Sequence, residues 1–233
     1  MIEKTLRTTH GKLKVRIPSR LDEVTLGQMM ALQEAKDLGD LDAISILSDV
    51  KVSDLKSVTN AADFVQFADA VLSLSHQIKY LYNSDEVPKT ITLLIDNKPV
   101  TVNVLRNLSV EPAGAFMAAR DIIADEIADH IKIYGEENWQ DYFNPSLGAC
   151  SKVLGYYLYC RVTGNPYDEY AAAAFADHVK QLRVTEALPI AKHFFLSYPD
   201  LSRQRTGCWH RLQQLWKNVQ ASMRSKSLSI SIQ

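Results

Sequence analysis

Acidic and imidazole side chains come nearest to a reactive spacing at two places. Glu126, Asp129 and His130 fall within about one turn of any helix drawn through "DIIADEIADHIK", and Asp177 and His178 stand side by side further on. A carboxylate–histidine metal centre in a helical bundle draws Glu-x-x-His pairs from facing helices. Here Glu126 and His130 are four apart, and the second helix offers only adjacent residues, so a solvated helix face is the better reading. The cysteines Cys150, Cys160 and Cys208 form no C-x-x-C pair, which argues against a disulfide framework and for a reducing compartment. Cys150 and Cys160 lie in apolar sequence, where free cysteine serves as a small core residue. Cys208 has Trp209, His210 and basic neighbours that would favour a thiolate, but Cys208 and His210, two apart on a helix, face different ways. No G-x-G-x-x-G or G-x-x-x-x-G-K-[ST] run supplies a phosphate cradle. The residues designate no catalytic, cofactor-binding or metal-ligating set.

Aromatic and basic residues are concentrated instead. Tyrosine is dense in "YYLYCRVTGNPYDEY" (156–170), and "HFFLSYP" (193–199) adds two phenylalanines. Tyrosine suits half-buried surfaces, because its ring buries area while its hydroxyl stays hydrogen-bonded. The segments fit either the rim of a helical core or a protein-contact surface. As contact candidates they nominate Tyr156, Tyr157, Tyr159, Phe194 and Phe195, with Trp209 and Trp216 from the C-terminal helix. The net charge is −1, but the residues after Asp200 contain six basic side chains and no acidic one, leaving a net −7 on the first 200. Arg203, Arg205, Arg211 and Lys217 could therefore lie near DNA, although no helix-turn-helix or finger pattern accompanies them.

The elements that would hold these residues are mainly helices. Leu13, Val15 and Ile17 alternate through "GKLKVRI" and predict a strand over 12–17. Pro18 stops it, and Thr25 is placed to cap a helix that Gly39 ends. Short helices follow in "DLDAISILSDV" and "VSDLKSV", then a longer amphipathic one in "NAADFVQFADAVLSLSHQIKYLY". "TITLLI" and "VTVNVL", joined through Asp96–Asn97, predict a hairpin over 90–105. A lone hairpin is marginally stable, so the 12–17 strand is expected to complete a small three-stranded antiparallel sheet with the first helices inserted. The remainder reads as helices, with Pro112 at a first-turn position and a break or kink at Pro189. "ADHIK" and "ADHVK" recur without matching flanks, a coincidence of two amphipathic helices.

The fold class is thus α+β and mostly α-helical. The expected domains are a mixed one over 1–108, a helical one over 109–222 and a tail over 223–233. In the tail, Leu228, Ile230 and Ile232 alternate in a way that could add a strand to a neighbour. No run approaches the roughly 18 apolar residues of a membrane span, and "MIEKTLRTTHGK" lacks the apolar core of a secretion signal.

"IPSRLDEVTLGQMMALQ" followed by "LDAISILSDVKVSDLKSV" resembles the opening of tailed-bacteriophage tail-assembly chaperone-like and head–tail morphogenesis proteins. Pro18, Leu21, Asp22, Val24, Thr25 and Leu26 match the passage from strand to helix. Ala43 to Leu47 match a helical segment, and Val52, Asp54 and Leu55 a following turn, while "EALPIAKHFFLS" (186–197) resembles a run near the end of some members. The likeness covers about a third of the chain and departs from the family in length and in the basic C-terminal helix. It implies a non-enzymatic morphogenesis protein in the neck or tail of a virion, assembled in the host cytoplasm. The implied partners are other phage structural proteins (neck, portal or tail) and further copies of itself, with DNA near the basic C-terminus and no membrane. A transient assembly chaperone is the alternative, and a small enzyme or a regulatory protein with a basic arm comes third.

Overall fold

The computed structural model describes residues 1–203 except 36, 37, 85, 108–110, 136, 138 and 140–142, and of 198–203 it describes the helical backbone alone. The chain divides into a compact unit, Met1–Phe195, and a second unit, Leu196–Gln233. Residues on both sides of 108 belong to the first unit. The architecture is α+β and mostly helical.

Strand β1 (Ile2–Thr8) turns through Thr9–His10 into β2 (Gly11–Ile17), and the two pair antiparallel with Leu6 opposite Leu13 and Ile2 opposite Ile17. Gly11 takes φ +134°, a conformation closed to other residues. Leu6, Val15 and Ile17 are fully buried. A 3-10 turn at Leu21–Glu23 leads to α1 (Leu26–Glu34), and α2 (Asp40–Ser48), α3 (Val52–Lys56) and α4 (Val65–Ile78) follow. The Thr25 cap expected from the sequence is present and is completed into a capping box by Gln28: Thr25 Oγ1 accepts from the Gln28 amide at 3.1 Å, and Gln28 Oε1 accepts from the Thr25 amide at 3.0 Å. α1 ends at Glu34, short of Gly39.

Strands β3 (Thr90–Ile95) and β4 (Lys98–Asn103) form the expected hairpin, closed by Asp96 and Asn97 at φ 49° and 60°. The pairing of 12–17 is a correction. β2 pairs with β1 rather than with this hairpin, giving two separate two-stranded sheets. The inserted helices therefore link two sheets instead of interrupting one. A two-residue loop closes β1 onto β2 at far lower entropic cost than a connection of some seventy residues.

Four long helices complete the described residues: α5 (Ala113–Tyr134), α6 (Leu147–Thr163), α7 (Glu169–Val179) and α8 (Val184–Arg203). α5 buries Ala115, Ala119, Ile123 and Ile127, a four-residue period that lays one side of the helix on α6. α6 is buried nearly all round, through residues including Cys150, Val153, Leu154, Tyr157 and Leu158. It approaches α7 so closely that a Cβ on Gly155 would stand 3.0 Å from the backbone of Ala176. Ser151, buried, donates to the Ala176 carbonyl at 2.9 Å in the same contact. Gly164, at φ +71°, ends α6 in the left-handed conformation. α8 runs unbroken through Pro189. Losing one helical hydrogen bond there is offset by burial of Leu188, Ile190, Ala191, Phe194 and Phe195 around it.

Candidate protein-contact site

The aromatic candidates separate by burial. Tyr157 and Phe195 are fully buried, Phe194 is 1% and Tyr159 8% exposed, so these four build the interior and are corrected from contact surface to core. Phe194 meets Tyr157 edge to face at 4.8 Å, and Phe195 packs on Phe143, which also meets Trp139. Their rings fill the space between α6, α8 and the aromatic segment before α6, where burial outweighs any gain from exposure. Among the described candidates Tyr156 alone is half-buried. Trp209, Trp216, Arg205, Arg211, Lys217, Cys208 and His210 lie outside the described residues, as does the 228–232 run, and Arg203 is described only as helical backbone.

The Tyr157 hydroxyl shows why a tyrosine stands in this core. It accepts from the Leu105 amide at 2.6 Å and donates to the Leu105 carbonyl at 2.8 Å, tying the end of the hairpin to α6. One turn on, the Arg161 guanidinium lies 5.4 Å over the same ring and pairs with the buried Glu111 carboxylate. The aromatic and charged contacts thus span the passage from β4 into α5.

The acid and imidazole residues singled out in the sequence hold local structure together. Glu126 accepts from the Ser146 amide at 2.6 Å and from its hydroxyl at 3.2 Å, at the start of α6. His130 stands against Phe143 and Tyr134, and Asp129 pairs with Lys132. Asp177 pairs with Lys180, and His178 lies on Phe175. Burial pushes the Cys150 thiol well above its ordinary range, with the Glu126 charge adding to the shift, and burial raises Cys160 as well. These environments disfavour a thiolate.

Two surface features carry recognition chemistry. The first is an apolar groove of about 410 Å³ lined by Leu41 and Ile44 of α2, Leu55 of α3, Val58, Ala61 and Phe64, with Asp40 and Lys56 also on its wall. Beside it, α4 buries Phe67, Ala70 and Leu74 yet exposes Val65 by 60% and Leu72 by 59%. These two are seven residues apart and share the outward face of the helix. The second is a cleft of about 550 Å³ along β3, between Thr90–Leu94 and a wall made by Gln181, Leu182, Arg183 and Glu186. That wall is the turn from α7 into α8, held against the start of α1 by backbone bonds: Leu26 donates to the Leu182 carbonyl at 2.8 Å and Val184 to the Val24 carbonyl at 2.9 Å.

Sequence reasoning passed over both. The signal for the first was Val65 and Leu72 standing opposite the Phe67–Leu74 stripe. The signal for the second was Pro99, which marks β4 as an edge strand. The chain matches no family model, no curated protein and no solved structure. Among the described residues no group of three His, Cys, Asp or Glu is placed to hold a metal ion, and no helix is long and apolar enough to cross a membrane.

Proposed function

We propose that the chain is a non-enzymatic bacteriophage morphogenesis protein, a structural component of the neck or tail that acts through protein–protein contacts. The observation that carries this reading is the apolar groove between α2, α3 and α4 with Val65 and Leu72 exposed beside it. An amphipathic helix has no folding use for two large apolar residues on its outer face, and burial of what each still exposes against a partner is worth about 1–2 kcal/mol. The groove is also built from the resembling segment. Leu41, Ile44 and Leu55 come from the "LDAISIL" and "VSDLK" runs, and the Pro18–Leu26 passage sets the start of α1 through the Thr25 capping box. The phage resemblance and the contact surface thus fall on the same part of the chain.

A permanent virion component keeps this groove filled; a chaperone fills it and leaves. Mass-spectrometric quantification of purified mature particles separates the two. A fixed copy number relative to the major capsid protein is expected. Absence from infectious particles despite abundant expression would overturn the virion reading and favour the chaperone.

A further inference from the structure

The outer edge of β3 has no strand partner among the described residues. Asp96 and Asn97 close a two-residue turn, so Ile95 and Lys98 exchange backbone hydrogen bonds, and the exchanging positions continue at Leu93–Val100 and Ile91–Val102. The Val104 amide on the Lys89 carbonyl, at 2.9 Å, keeps the same parity past the end of the strands. The amides and carbonyls of Thr90, Thr92 and Leu94 therefore point away from β4, and none has a backbone partner among the described residues. The two edges of the hairpin are treated differently. On β4 the outward position opposite Leu94 is Pro99, which has no N–H to offer. β3 has no such guard and opens into the 550 Å³ cleft.

We infer that this edge receives the alternating run Ser227–Ile232 from the C-terminal segment of a second copy of the chain, as an added β-strand. Three observations favour this occupant. "SLSISI" keeps a strict period of two, apolar at Leu228, Ile230 and Ile232, which is what an edge with one covered face requires. Paired on β3, these three side chains lie on the side of the buried Ile91 and Leu93 and reach toward Leu182 on the cleft wall, while the serines share the exposed side with Thr92 and Leu94. The overall charges of the two parts are opposite: the segment after Asp200 carries six basic residues and no acidic one, against a net −7 on the rest, while the cleft itself is balanced by Arg183 and Glu186. Finally, 30 residues follow Arg203, enough at about 3.3 Å each to reach a neighbouring molecule. The contact is head to tail, one copy giving the strand and the next the edge, so repetition yields a ring where the rotation closes. The inference deepens the assembly reading by naming its self-contact, and it is read from self-association, whereas that reading stands or falls on particle content.

Two single variants of the full chain test it. Thr92→Pro removes an outward amide from β3 together with the Thr92–Thr101 hydroxyl contact and leaves the backbone β3–β4 hydrogen bonds intact, and Ile230→Pro breaks the donated strand. Circular dichroism and thermal unfolding verify that each is folded. In analytical ultracentrifugation the unmodified chain is expected to self-associate with concentration. Each variant alone should show a dissociation constant raised at least about tenfold. A mixture of the two should regain a 1:1 complex, because one retains the edge and the other the strand, and Leu94→Lys serves as the edge variant should Thr92→Pro fail to fold. A monomeric unmodified chain, or a mixture that remains monomeric, overturns the inference, and so does association of the Ile230→Pro chain at full strength.

Discussion

Helices α6 and α4 carry similar apolar content and use it in opposite ways. α6 spends its apolar and aromatic residues inward, sealing Tyr157, Leu158 and Tyr159 among its neighbours. α4 covers one side with Phe67, Ala70 and Leu74 and leaves Val65 and Leu72 in water on the other. The buried rings of α6 and α8 therefore mark where this chain is most fully satisfied, while Tyr170 at the end of the same tyrosine-rich run is 87% exposed. The outward face of α4 marks where it is unsatisfied, and an unsatisfied apolar face is what an assembly contact uses. Variants in the first region should change stability, and variants in the second should change association.

The largest stability loss is expected at the α6–α8 aromatic contact. Phe194→Ala removes the ring that meets Tyr157 at 4.8 Å and should cost about 3–5 kcal/mol, read as a lowered denaturant midpoint with an unchanged slope. Gly155→Ala comes next. Its Cβ would press the Ala176 backbone at 3.0 Å, and overpacking of this kind costs about 1–3 kcal/mol. Tyr157→Phe keeps the ring and strands the Leu105 amide and carbonyl, which are only partly buried, so a loss of about 1–2 kcal/mol is expected. That variant should also speed amide exchange at Leu105, which a packing change elsewhere would not do.

A smaller effect is tied to pH. The Met1 amine and then the Ser19 amide hold the Glu23 carboxyl down at about 2. A carboxyl with a depressed folded pKa contributes stability above its unfolded value of 4.5, and that contribution fades as pH falls toward about 2. Glu23→Gln should therefore flatten the acid limb of the stability profile in that window and leave the shape above about pH 5 unchanged. An identical acid limb in the variant would remove Glu23 from the account.

What was legible in the sequence follows the same division. The 12–17 strand, the Thr25 cap and the hairpin at Asp96–Asn97 were readable because each rests on local chemistry. β1 was hidden because Lys4, on the same face as Ile2 and Leu6, interrupts the apolar alternation. Its ammonium is satisfied by Asp63 at 2.8 Å, a partner 59 positions away. The three-stranded sheet failed for that reason: without β1 in view, β2 had no nearer mate. Tyr157 and Tyr159 were ambiguous from residue type alone, since tyrosine serves both rims and cores, and the Leu105 backbone that satisfies Tyr157 is 52 positions distant. Glu126 could be set aside as a ligand by spacing, but its engagement with Ser146 depends on a chain reversal that no local pattern announces.

The smallest stability change should carry the largest functional one. Leu72→Ser, at a side chain 59% exposed, should leave unfolding within about 0.5 kcal/mol of the unmodified chain. Its incorporation into particles is the measurement that bears most directly on the central claim. Particles assembled with the unmodified chain should contain it at a constant ratio through sedimentation, and particles assembled with the folded Leu72→Ser chain should lack most of it. Equal retention of both chains, or absence of both from mature particles, would contradict an account in which the outward face of α4 holds this protein in the virion.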